Sequence, residues 1–179
     1  MSRSECRVCF AFVALLAAAL AFDRMVLPQR MTLVVTESVP RGLYALRPFE
    51  EESARVGQLV CLRANGPDAP RVLREGLAQG RWPASWSLFP FVKRIAAREG
   101  ARVTAAADGL RVDGATLAHS QRRVSDTRGR ALPSPAFPLE LGADEVWLSS
   151  DVDSGFDSRY FGPAKTAALD CIAEPLWTL

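Results

Sequence analysis

The chain has 179 residues, 49 % hydrophobic and 23 % charged, a balance that suits one domain folded around a core and excludes a disordered chain. Its 22 basic and 20 acidic residues leave a net charge of +2, which gives no case for nucleic acid as a partner. The single histidine, His119, excludes a two-histidine metal site, and four cysteines are too few and too scattered for a disulfide scaffold.

Residues 8–22 form an uncharged run rich in Ala, Leu and Phe, and only Asp23-Arg24 interrupts the apolar character up to Leu27. A membrane helix needs ~20 largely apolar residues, so residues 1–27 read as one N-terminal membrane anchor. A cleaved signal peptide is the alternative, because Ala19-Leu20-Ala21 has the A-x-A form. Either reading exports residues 28–179. In an oxidising compartment Cys61 and Cys171 could pair, leaving Cys6 and Cys9 at the membrane. The favoured reading is two small buried hydrophobes.

The exported part is expected to be mainly β. Strands are predicted over residues 31–36, 42–47 and 58–63, the last stopped by Asn65-Gly66-Pro67. Residues 70–79 are the best helix candidate, short and ended by Gly80. Further strands are predicted over 91–96, 101–106 and 109–112, with Asp113-Gly114 turning the chain into 115–117. Residues 122–138 are charged and contain Pro, the pattern of a surface loop, and residues 145–149 are the last strong strand. Strands of this kind are expected to curl on themselves and so limit exposed edges.

Three segments carry residues fit for chemistry. In Ser38-Val39-Pro40-Arg41-Gly42-Leu43-Tyr44 a serine stands where a strand ends, either presented in a cleft or an ordinary turn residue. Lys93 lies in the apolar stretch 88–95, next to Arg94, and in a strand the two side chains point to opposite faces. Of 22 basic residues only Lys93 and Lys165 are lysines. A buried Lys loses its proton far more readily than an Arg, so Lys93 facing inward could take a proton from a hydroxyl. A lysine snorkelling from a strand edge is the plainer reading. The third segment, Asp157-Ser158-Arg159-Tyr160-Phe161-Gly162, follows Ser154 and suggests a hydrogen-bonded network around an Asp157–Arg159 pair. His119, without a carboxylate partner in sequence, reads as a surface or structural residue.

Together these segments resemble the S26 signal peptidases, and within them the TraF-type peptidases of conjugative transfer systems. The serine segment matches the nucleophile motif, Lys93-Arg94 the general-base motif, and the six residues from Asp157 the terminal box. The order is the family's, with 55 residues from Ser38 to Lys93 and 64 more to Asp157. The resemblance implies a signal-peptidase-like curled β-sheet domain and a serine endopeptidase with a Ser38–Lys93 dyad, needing no cofactor or metal. It implies an oxyanion hole from the Ser38 backbone N–H and the Thr36 hydroxyl, with Asp157, Ser158 and Arg159 supporting the site and orienting Lys93. The implied substrate is an exported precursor, a conjugative pilin above all, lying as an extended strand with small side chains near the cut.

The same resemblance places the chain in a bacterial inner membrane as a single-pass protein, its catalytic domain in the periplasm. Its other partners would be membrane lipid and proteins of the transfer or secretion apparatus. Val39 replaces the Met usual after the serine in housekeeping members, and Ser149-Ser150-Asp151 stands where their terminal box opens with Gly-Asp-Asn. Two further readings share the fold: a general leader peptidase for exported preproteins, and an envelope scaffold without turnover. The intact set of Ser38, Lys93 and Asp157 argues against the scaffold. The basic loop carrying Arg122, Arg123, Arg128 and Arg130 reads as a solvated face.

Overall fold

The computed structural model describes residues 31–179, so the predicted anchor and Cys6 and Cys9 lie outside the described residues. Among the described residues no helix is long and apolar enough to cross a membrane.

The chain runs through β1 (Met31–Val34), β2 (Gly42–Pro48), β3 (Leu59–Leu62), helix α1 (Arg71–Ala78), β4 (Phe91–Ala97), β5 (Arg102–Ala106), β6 (Gly109–Val112) and β7 (Ala115–Thr116). It continues through β8 (Leu139–Glu140), β9 (Glu145–Ser149), the one-turn helix α2 (Ser158–Phe161), β10 (Ala164–Lys165) and β11 (Leu169–Thr178). The domain is mainly β, as the alternating segments predict. The strands form two antiparallel sheets: seven strands in the order β1-β2-β11-β3-β4-β9-β10, and four in the order β7-β6-β5-β8.

Both faces of the larger sheet are covered, which explains why β3, Leu-Val-Cys-Leu, is buried at every position. One face packs Val60, Leu62, Ile95 and Leu148 against Leu73 of α1 and Phe161 of α2. The other packs Cys61, Val92 and Cys171 against Val39 and Tyr44. A third cluster, around Val103, Leu110, Leu141 and Trp147, holds the smaller sheet to the end of β4. Helix α1 follows Pro70 and turns its Gly76 toward the indole of Trp82: a Cβ there would lie 1.8 Å from Trp82 Nε1. That close approach lets the indole N–H donate to the Val72 carbonyl at 3.1 Å.

Two expectations need correction. Residues 145–149 are not the last strong strand, because the ten-residue β11 follows and lies between β2 and β3. Its Pro175 and charged residues hide it from a pattern search, yet Pro175 sits where the register with β2 shifts, a place that tolerates a missing N–H donor. Cys61 and Cys171 are not merely two buried hydrophobes. They face each other across β3 and β11, with Cα atoms 5.0 Å apart, and are joined in a disulfide.

Candidate active site

Ser38 lies in the turn between β1 and β2, and three hydrogen bonds fix that turn. The Asp151 N–H donates to the Ser38 carbonyl at 2.7 Å, the Leu179 N–H to the Arg41 carbonyl at 2.9 Å, and the Tyr44 hydroxyl to the Pro40 carbonyl at 2.5 Å. Val39 is driven into the core beside Tyr44 and Val92, which leaves the neighbouring Ser38 side chain half-exposed. Thr36, two residues earlier in the same turn, is exposed.

Lys93 is the third residue of β4, where Phe91, Lys93 and Ile95 share one face and Arg94 takes the other. Its side chain is buried, with 4 % of its surface exposed, and its ammonium lies 5.7 Å from the centre of the Phe91 ring. Nζ donates to Ser38 Oγ at 2.8 Å and to Ser150 Oγ at 2.9 Å. Burial pushes the Lys93 amine down from its ordinary 10.5 to about 8; the nearby Asp157 and Asp151 carboxylates pull it up and the Arg159 guanidinium pulls it down. Arg94 grips Asp151 through two hydrogen bonds, at 2.9 and 2.6 Å, and donates to the Gly57 carbonyl at 2.8 Å. The opposite-face expectation for Lys93 and Arg94 therefore describes this strand.

The third segment supports the site at one remove. Asp157 caps α2 and accepts from the Arg159 N–H at 3.1 Å, from Arg159 Nε and Nη2 at 2.8 Å each, and from the Ser150 N–H at 2.9 Å. Arg159 is buried and spends its remaining donors on the carbonyls of Gln121, Val152, Asp153 and Gly155. Ser158 Oγ accepts from the Leu148 N–H at 2.9 Å, so it secures β9. Asp157 and Ser158 make no hydrogen bond to Lys93. The residue that does is Ser150, which the sequence reading left without a role.

The signal for Ser150 was present but not local. β4 pairs with β9 through Arg94↔Ser149 and Ile95↔Leu148, and continuing that register sets Ser150 beside Lys93. Gly155 makes room for it, since a Cβ there would lie 2.1 Å from Ser150 Oγ. Ser154 is exposed and lies outside this network. Lys165, the other lysine, pairs with Asp144 on the surface at 2.6 Å, and His119 is exposed. Among the described residues no cluster of His, Cys, Asp and Glu could hold a metal ion.

A hydroxyl and a buried amine at hydrogen-bond distance form a pair in which the amine, once neutral, can accept the hydroxyl proton and leave an alkoxide nucleophile. Sequence comparison finds relatives along most of the chain. The family described as "Signal peptidase, peptidase S26" matches residues 6–177. The "Plasmid transfer protein TraF" of Escherichia coli is 35 % identical over 147 residues, covering 80 % of each chain. The "Conjugal transfer protein TraF" of Agrobacterium tumefaciens strain 15955 is 30 % identical over 149 residues, covering 82 % of this chain and 81 % of that one. A crystal structure of a signal peptidase I from Enterococcus faecalis V583 aligns with 67 % of this chain and 96 % of that one, at 17 % identity and a TM-score of 0.38, a likeness too slight to decide anything about the fold.

Proposed function

The chain belongs to the signal peptidase S26 family, and from that premise we propose that it is a membrane-anchored serine endopeptidase in which Ser38 is the nucleophile and Lys93 the general base. The observation that carries the reading is the 2.8 Å contact between a half-exposed hydroxyl and a buried amine whose proton is held only to about pH 8.

In the proposed reaction neutral Lys93 takes the Ser38 proton as Oγ adds to the scissile carbonyl. The oxyanion receives hydrogen bonds from the Ser38 backbone N–H and the Thr36 hydroxyl, groups that do their work in the transition state. The Lys93 ammonium then protonates the departing amine, the C–N bond breaks, and an ester on Ser38 remains. Water attacking that ester gives hydrolysis; an amine of the same polypeptide attacking it gives a new peptide bond and a ring. Throughout, Ser150 holds the amine on one side while Asp157 holds the Ser150 N–H and Arg159 holds Asp157.

The substrate in this reading is an exported precursor of pilin type, consistent with relatives named for plasmid and conjugal transfer. The anchor, residues 1–27, would hold the domain on the periplasmic face of the inner membrane, near lipid and the transfer apparatus. A disulfide between Cys61 and Cys171 suits an oxidising compartment. A general leader peptidase is the second reading, favoured by the description of the family as signal peptidases.

Mass spectrometry of a co-expressed pilin precursor tests both. The cleaved mass means hydrolysis, a mass one water lighter means cyclisation, and both must vanish with Ser38→Ala. A precursor left intact by the wild type, while other preproteins are cut, transfers the assignment to leader peptidase. Processing by Ser38→Ala refutes the mechanism.

A further inference from the structure

A cavity of about 450 Å³ opens between the turn after α1, the basic loop and the segment that follows β9. It shares no residue with the contact among Ser38, Lys93 and Ser150. Its floor is aromatic: Phe156 lies 4.8 Å from Trp82, 5.3 Å from Trp86 and 5.3 Å from Tyr160, ring centre to ring centre. Its rim is cationic, with Arg81, Arg123, Arg128 and Arg130 against one carboxylate, Asp126. Arg130 already neutralises that carboxylate at 2.6 Å, and the Arg81 guanidinium sits 5.0 Å over the Trp82 ring.

Arg123 and Arg128 differ from the other two. Their side chains are exposed, and among the described residues neither guanidinium has a hydrogen bond or an ion pair. Their backbones are nonetheless fixed, the Arg123 N–H on the Tyr160 hydroxyl at 3.3 Å and the Arg128 N–H on Asp126 at 2.9 Å. Two guanidiniums on a braced loop, with every donor unspent, face a hollow in the ~300–1,000 Å³ range of ligand clefts.

We propose that this cavity binds an acidic stretch of the polypeptide substrate, its carboxylates on Arg123 and Arg128 and an apolar side chain over Trp86 and Phe156. The inference rests on the peptidase reading above. Reach supports it: Gly155, in the cavity wall, is five residues from Ser150, a span of at most ~18 Å, so one extended polypeptide can meet both places. For nucleic acid, a chain with 22 basic against 20 acidic residues has no general excess of positive charge, and Trp82, 5 % exposed, stacked at 5.7 Å on Trp86 and covered by Arg81, offers no ring face to a base. Exposed apolar side chains that a membrane surface could take up stand on β1 and β11, at Leu33 and Trp177, and also beside the cavity's own residues, at Leu88, Phe89 and Val124, so the vesicle arm of the test decides between lipid and peptide.

The test uses the full chain carrying Ser38→Ala, so that bound peptide stays uncut. Four probes are titrated by calorimetry and tryptophan emission: the hexapeptide Glu-Leu-Glu-Glu-Leu-Glu, its counterpart with Lys for Glu, an oligothymidylate, and phosphatidylglycerol vesicles. The acidic peptide is expected to bind, the basic one not, and Arg123→Gln/Arg128→Gln to weaken binding at least tenfold. On the active chain the same double variant should raise KM for an acidic substrate with kcat unchanged. Acidic-peptide binding that ignores the two arginines overturns the proposal, as does tighter binding of oligothymidylate or vesicles through them. A chain that binds the peptide through these arginines but never cuts leaves the site standing and removes the peptidase reading.

Discussion

If Lys93 is the base, activity must follow the population of its neutral form. With the amine at about 8, roughly one Lys93 in ten is neutral at pH 7, against roughly one in three thousand at the ordinary 10.5. Cleavage of a fluorogenic peptide by the full chain in detergent is therefore expected to rise about tenfold per pH unit below 8 and to level off above it. Lys93→Arg should abolish turnover, since a guanidinium keeps its proton across this range. Stability carries the same signature with the opposite cost. The unfolded chain keeps the Lys93 proton up to its ordinary 10.5, so from about 8 to 10.5 it binds more protons than the folded one, and stability rises with pH across that window. Below about 8 the buried charge costs the fold about 3 kcal/mol. Lys93→Met is thus expected to be inactive yet to melt at a higher temperature than wild type at pH 6, by less than the full amount because Ser150 loses its partner. The advantage should vanish near pH 10. A rate profile flat between pH 6 and 9, or one that turns only above pH 10, would refute the reasoning.

Three other perturbations separate positioning from chemistry. Thr36→Val keeps the shape of the side chain and removes its hydroxyl, so kcat should fall about 10²–10³-fold with KM unchanged; an unaltered kcat takes Thr36 out of the oxyanion hole. Gly155→Ala drives a Cβ to 2.1 Å from Ser150 Oγ and must displace that hydroxyl from Lys93. Its kcat is expected to drop about 10²-fold, and normal turnover in the folded variant would show that Ser150 does not position the amine. The double variant Cys61→Ser/Cys171→Ser opens a link across 110 residues and should lower unfolding stability in denaturant by about 2–4 kcal/mol without changing the pH profile. An unchanged denaturation midpoint would mean that the bond contributes nothing to the fold.

What the sequence by itself determined is local. The period of two over residues 91–96 already puts Lys93 and Arg94 on opposite faces, because neighbouring side chains on a strand alternate, but only the packing of the sheet decides that Lys93 is the buried one. The Pro and Gly after Ser38 announce a turn, and the loop over residues 122–138 and the short helix beginning near Pro70 follow from the same chemistry of turns and caps. Which strands become neighbours is another matter. β11 was illegible because Glu174 and Pro175 break its pattern, and only its place between β2 and β3 satisfies that backbone. The pairing of Cys61 with Cys171 and the contact of Ser150 with Lys93 both depend on register across strands far apart in sequence. A side chain's face is set by its own backbone, but its partner is set by the alignment of another strand, and that alignment exists only once the sheet has formed.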